Sequence, residues 1–332
     1  MENRTWGLVL SGGGGKGAYQ VGVLKAMEEL GMLDRVEAIA GSSIGALNAV
    51  LLSQQDTKMM EKVWNQITPD QIFSAEISSA DILSEIADIF QDVKEFLESA
   101  ALDQFLKSAR TDGLCSRAGL LKILNEFIDF DKVRSYPKEI YVTIAKVING
   151  TPIAEYHTLR DKSDQQIKNL LLASSALPII YDAVDMDGVL YRDGGIADNV
   201  PVKPLRDRGL KQFYVLRHSE GRVTFTENKE NGEQELLIRP SHGIGDFLSG
   251  TVDFSHKNIL YRIALGYYDG LAIFQEQKRR EKGQPGNPIQ LQIRLSESHG
   301  MALAQNRRSE LSEMVEEHLA DFSKYEHYYD KS

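Results

Sequence analysis

Two strand–loop–helix units within the first 52 residues constrain this chain's fold more than anything that follows. The apolar run "WGLVL" at 6–10 stops at the glycines of "SGGGGKG", the pattern of a short buried strand ended by a loop. Val21, Leu24, Met27 and Leu30 then recur at helical spacing, and Gly31 closes that helix. A second strand is read at Val36–Ala40, then a tight turn at "GSSIG" and an apolar helix from about Ile44. Strand, helix, strand, helix at this spacing begins a parallel sheet, because parallel neighbours need a crossover long enough to hold a helix.

Further along, residues 57–128 are mostly helical in pattern, with Ile82, Ile86, Ile89, Val93 and Phe96 on one face. The stretch 81–98 carries six acids against Lys94. An anionic surface would repel it, so it is read as core packing or a cover over a substrate channel rather than a membrane-docking helix. "EIYVTIAKV" and "PIAEYHTL" read as strands joined through Asn149-Gly150, a strong hairpin signal. A helix is expected at about 164–174, a second hairpin at Asp187-Gly188, and a strand "FYVLR" at 213–217. The polar stretch 220–235 reads as an exposed loop, and 256–332 as mainly helical. One α/β domain with helical additions is the simplest architecture.

Charge and cysteine usage narrow the function classes. The balance of 38 basic against 48 acidic residues, a net charge of −10, disfavours nucleic acid as a partner. No apolar run approaches the roughly 18 residues of a membrane span. The N-terminus lacks the basic start and long apolar centre of a signal peptide. The single cysteine, Cys115, excludes an internal disulfide framework and fits a reducing setting. A soluble, cytoplasmic protein is the expectation.

Three ligands suit a loop as bare as Gly12–Gly17. A phosphate-binding P-loop needs a glycine where Leu10 stands and a hydroxyl where Gly17 stands, and so fails twice. A dinucleotide fingerprint fits Gly12, Gly14 and Gly17, between a strand and a helix. It also wants an acidic residue at the end of the next strand, where this chain has "AGSS". The third candidate is an oxyanion formed during a reaction, held by consecutive N–H groups at a helix N-terminus. This last requires a nucleophile nearby.

"GSSIG" supplies one. Ser43 is the centre of a G-x-S-x-G motif, with Gly41 and Gly45 keeping side chains away from a strained strand-to-helix corner. The N–H of Ile44 then becomes a further oxyanion donor. Ser42 is a poorer candidate, being flanked at those positions by Ala40 and Ile44. None of the seven histidines sits in a motif that marks it as the base. A carboxylate acting directly on the serine is therefore the hypothesis to test, with desolvation raising its pKa towards the working range.

Three elements in this order, "GGGGKG" (Gly12–Gly17), "GSSIG" (Gly41–Gly45) and "DGG" (Asp193–Gly195), resemble the patatin-like phospholipases. The connecting text "LLASSALPIIY" and "DGGIADNVPVKPLRDRGL" is similar to that family too, and the resemblance covers roughly residues 6–217. Residues 236–254 look more loosely like the tails of some bacterial members, and the chain as a whole resembles a bacterial, cytoplasmic-type member.

The resemblance implies a three-layer α/β/α fold with a mostly parallel central sheet. Residues 1–217 would be the catalytic domain, and 218–332 a helical extension packed on it. It implies Ser43 as nucleophile, Asp193 as general base, and N–H groups of Gly13, Gly14 and Gly15 for the oxyanion. Gly12, Lys16, Gly17, Gly41, Gly45, Gly194 and Gly195 complete the motifs. Lys16 stands where the family has Arg or Lys and would serve the loop's charge balance; Ser11 stands where plant members often have Asp. Asp187 is a rival to Asp193, but its place in a hairpin turn accounts for it.

The implied activity is hydrolysis of lipid carboxylic esters, of phospholipase A or lysophospholipase type, with no metal or organic cofactor. The implied partners are a lipid ester substrate and, transiently, a membrane surface. Alternatives on the same dyad are a short-chain esterase or a thioesterase. From other classes, a dinucleotide-binding enzyme or a non-catalytic lipid-binding regulator stay open. Nothing in the sequence sets acyl length, head group or oligomeric state.

Overall fold

The computed structural model describes residues 5–54, 56–73, 81, 84, 113–148, 151–178, 180–228 and 230–329. Most of the 81–98 stretch and the turn Asn149-Gly150 lie outside these residues. Among the described residues, nine strands form one sheet: β1 Trp6–Leu10, β2 Val36–Ser42, β3 Glu139–Ile148, β4 Thr151–Thr158, β5 Val184–Met186, β6 Val189–Asp193, β7 Gln212–Leu216, β8 Thr224–Asn228 and β9 Glu233–Ile238. Their order is β5-β6-β3-β2-β1-β7-β9-β8, with β4 also paired to β3. The centre β3-β2-β1-β7-β9 is parallel, and antiparallel hairpins finish both sides.

Strand periodicity explains why the central strands look uniformly apolar. Leu8, Leu10, Ile39, Tyr214 and Leu216 face one core, while Val9, Ala38, Ala40, Phe213 and Val215 face the other. A strand buried on both faces has no polar side to show. The first face carries α1 Gly17–Glu29, α2 Ile44–Leu52, α3 Asp164–Ser174 and α4 His256–Glu281. The second is covered by a shorter segment that includes Leu205 and Leu210. A long final helix, α5 Pro288–Tyr329, packs on α4.

Helices α1 and α4 approach almost backbone to backbone. A Cβ on Gly22 would stand 1.9 Å from the Ile263 carbonyl oxygen, and one on Gly266 2.1 Å from that of Tyr19. Only glycine admits such a contact.

The second hairpin forms as the sequence suggests, with Asp187 at φ 56° and Gly188 at φ 79° between β5 and β6. Residues 220–235 differ from the expected loop. They hold β8 and the start of β9, antiparallel partners joined through Asn231-Gly232, with Gly232 at φ 70°. Residues 218–332 are thus not only helical: they add two strands to the sheet. The alternation that marks a half-buried strand is absent from β8 because it lies at the sheet edge, largely exposed. No helix among the described residues is long and apolar enough to cross a membrane.

Candidate active site

Strand β3 brings the two motif residues together. Its first half, residues 139–143, pairs in parallel with β2, and Ile144 to Lys146 pair antiparallel with β6. Strand β4 occupies the other edge over 141–148, so β2 and β6 share one edge and meet end to end. Ser42 closes β2 opposite Thr143, and Asp193 closes β6 opposite Ile144.

Ser43 follows directly, at φ 53° and ψ −128°, a backbone region that costs a non-glycine residue energy. Its glycine neighbours are sterically required. A Cβ on Gly41 would lie 2.5 Å from the Ala46 nitrogen, and one on Gly45 2.1 Å from the Leu10 carbonyl oxygen.

The Ser43 hydroxyl donates to Asp193 Oδ2 at 2.6 Å, and the Gly195 N–H donates to Oδ1 at 2.7 Å. Asp193 is 3% exposed. Burial pushes its carboxyl up to about 7, although both hydrogen bonds favour the charged form. Desolvation wins because two donors do not replace the hydration of a carboxylate. Gly194 lies against the Thr143 carbonyl oxygen, 2.2 Å from where its Cβ would stand.

The end of α3 braces both groups. Ser174 Oγ accepts from the Ser43 N–H at 2.9 Å and donates to the Thr143 carbonyl at 2.7 Å. The Asp193 N–H donates to the Ala176 carbonyl at 3.0 Å, and the Gly194 N–H to that of Ser174 at 3.3 Å.

The glycine loop lies beside this pair. Gly12, Gly13, Gly14, Lys16 and Ile44 line the same cavity as Ser43 and Asp193, whereas Gly15 is not among its lining residues. The Gly15 Cα faces the Asp253 carbonyl oxygen, 2.1 Å from where a Cβ would stand; Gly14, at φ 54°, faces that of Thr251 at 2.0 Å. Gly17 packs under Ile44 and Trp64. Residues 250–253 are held down by Arg262, whose guanidinium donates to the carbonyls of Asp253 and Ser249 and pairs with the Asp253 carboxylate at 2.9 Å. Burial and the nearby Arg262 charge hold the Lys16 ammonium below the usual lysine range.

Two further side chains grip the loop. The Gly12 N–H donates to Asn199 Oδ1 at 3.1 Å, and His218 Nδ1 lies 2.9 Å from the Gly12 carbonyl oxygen. Sequence reasoning missed Ser174, Asn199, His218 and Arg262 as supports. Ser174 and Asn199 stand in the family-like text around the motifs; His218 and Arg262 stand in no motif. The rival Asp187 sits in the β5–β6 turn and is not among the cavity residues.

The cavity is about 440 Å³, the size of a small-molecule site. From the Ser43 end, its wall continues as Leu47, Ile72, Phe73, Leu120, Leu177 and Phe254. Ile44, Leu47, Ile72, Leu120 and Phe254 also border a smaller apolar space floored by Trp64.

Known proteins are similar to this chain over part of their length. The lysophospholipase nte1 of Aspergillus terreus is 25% identical over 220 residues, which cover 64% of this chain and 12% of that protein. The human patatin-like phospholipase domain-containing protein 6 is 26% identical over 218 residues, covering 65% and 13%. This chain therefore spans only a small part of those relatives. Among solved structures, VipD from Legionella pneumophila aligns with a TM-score of 0.49 at 16% identity, over 82% of this chain and 67% of that one. Human GIVD cytosolic phospholipase A2, in complex with methyl gamma-linolenyl fluorophosphonate, aligns at 0.44 and 9%, over 90% and 60%. The model of the patatin-like phospholipases matches residues 8–206; that is more than half of the chain and includes both Ser43 and Asp193, and the chain belongs to the patatin-like phospholipase family.

Proposed function

We propose that this chain is a serine lipid acyl hydrolase whose nucleophile is Ser43 and whose general base is Asp193. The observation that carries it is the 2.6 Å hydrogen bond from the serine hydroxyl to a buried carboxylate. A carboxyl raised to about 7 accepts a proton far more readily than an ordinary aspartate.

Asp193 Oδ2 takes the Ser43 proton as Oγ attacks the ester carbonyl. The N–H groups of Gly13, Gly14 and Ile44 stabilise the oxyanion. Gly15, which does not line the cavity, contributes by packing against Asp253. The carboxyl then returns its proton to the leaving alcohol, and an acyl-enzyme remains. Water, deprotonated by the same carboxylate, releases the fatty acid. The apolar wall from Leu47 to Phe254 suits an acyl chain, which favours lipid esters over short-chain esters. The lysophospholipase names of the relatives suggest a phospholipid or lysophospholipid substrate. Against a dinucleotide, the carbonyl oxygens of Thr251 and Asp253 close on Gly14 and Gly15, and their negative dipole ends would repel a pyrophosphate there.

Labelling with a fluorophosphonate probe tests the assignment. Wild type should label, and Ser43→Ala should not. Native wild type that resists the probe and hydrolyses no ester of any chain length would refute it.

A further inference from the structure

His218 is 8% exposed and lies at the glycine loop, lining the same cavity as Ser43, whose hydroxyl bonds Asp193 and not the imidazole. Its Nδ1 points to the Gly12 carbonyl oxygen, 2.9 Å away. A carbonyl only accepts, so the proton sits on Nδ1. Its Nε2 is buried and meets no partner among the described residues. Burial pushes the ring down to about 4, so it stays neutral at working pH. An unpaired buried nitrogen is costly, and an apolar side chain would fill the space without that cost. What the histidine adds is the hydrogen bond to Gly12.

We propose that His218 is a positioning residue that sets the direction of the Gly13 N–H by holding the Gly12 carbonyl oxygen. It rests on the hydrolase reading above. Gly12 C=O and Gly13 N–H belong to one planar trans peptide and point opposite ways, so anchoring the oxygen aims the N–H. Asn199 holds the preceding N–H of Gly12 at 3.1 Å and reaches the Gly12 carbonyl oxygen with Nδ2 only at 3.5 Å, so His218, at 2.9 Å, makes the shorter bond to the Gly12–Gly13 plane. Glycines on both sides make that plane easy to flip. A flip would present a carbonyl dipole where the oxyanion forms. The ring also explains why residue 13 is glycine: a Cβ there would stand 2.3 Å from His218 Nδ1. The asparagine amide nitrogen has the same reach as imidazole Nδ1, whereas leucine and phenylalanine fill the space without a donor.

The test uses the full chain with H218N, H218L and H218F, and Ser43→Ala as reference. Steady-state hydrolysis of p-nitrophenyl octanoate gives kcat and KM. Inhibition by an octyl trifluoromethyl ketone, whose serine adduct carries an oxyanion, reports the hole directly. H218L and H218F are expected to lower kcat and weaken inhibition about 10- to 100-fold, with KM within about twofold. H218N is expected to stay within about threefold of wild type on all three readouts. Should H218F melt early, H218L makes the same comparison against H218N at matched size.

Donorless variants that keep kcat and inhibitor affinity overturn the proposal, as does H218N impaired as much as H218L. In either case a wild type that labels and turns over through Ser43 leaves the hydrolase reading standing. A wild type that neither labels nor turns over removes both.

Discussion

Ser42 and Asp193 stand opposite consecutive residues of one strand, Thr143 and Ile144, on the same edge of β3. One arrives by a parallel strand and the other by an antiparallel strand, so two chain segments end at a single point. The 2.6 Å bond between Ser43 and Asp193 is therefore set by backbone pairing rather than by long flexible side chains. Such a pair is preorganised before any substrate arrives.

Asp193 links activity and stability to pH with opposite signs. In the proposed role of base it must be ionised, so kcat/KM should climb as pH passes about 7 and fall below it. The folded state binds this proton more tightly than the unfolded chain does. Stability should thus decline as pH rises from about 4 towards 7, the full cost of the buried charge being present above 7. Asp193→Asn should cost about 10³-fold in kcat. It should melt above wild type in mildly alkaline buffer, the gap closing towards pH 4. Calorimetry across that range, beside a pH–rate profile, checks both.

Ser174→Ala should separate fold from chemistry. It leaves the Ser43 N–H and the Thr143 carbonyl without their shared hydroxyl, costing about 1–3 kcal/mol in urea unfolding. The loosened elbow should lower kcat about tenfold with little change in KM. Equal losses in both kinetic constants would argue for general disruption.

Arg262→Leu removes a guanidinium that is 2% exposed and leaves the Asp253 carboxylate without its cation, held only by Ser255 and Asn258. A loss of about 3–5 kcal/mol is expected. Limited proteolysis should show cleavage at 246–253 before global unfolding. Arg262→Lys should recover part of the loss, since it keeps the charge and gives up the forked geometry.

Leu47 sits one turn beyond Ser43 and borders both the main cavity and the inner apolar space. Leu47→Trp should crowd the wall that the two spaces share. Hydrolysis of p-nitrophenyl esters of rising length should then lose about tenfold or more in kcat/KM for long acyl chains. The butyrate ester should stay within about threefold of wild type.

Much of the centre was legible because local patterns and tertiary demands agree there. "WGLVL" is apolar throughout because both its faces are covered, and Gly41 and Gly45 are small because backbone lies where their Cβ atoms would be. Asp187-Gly188 makes its turn with both residues at positive φ. Strand β8 was hidden by its exposed edge position. His218 and Arg262 were hidden for other reasons: His218 grips the Gly12 carbonyl from 206 residues away in sequence, and Arg262 serves the loop only indirectly, through the carbonyls of Ser249 and Asp253, so neither leaves a motif. Gly15 carries the motif of its neighbours but is not among the residues that line the cavity, a difference of placement that composition does not encode.

The shared sheet has a consequence for any shortened version of the chain. Strand β9 is hydrogen-bonded along β7, and α4 covers the glycine face of α1, yet both follow residue 206, where the family match ends. A fragment stopped at residue 217 would bare a row of backbone donors and acceptors along β7. It would also shed His218 and the 250–253 support of the loop. Such a fragment is expected to self-associate through that open edge, and to keep the sequence signature of a hydrolase without its working loop.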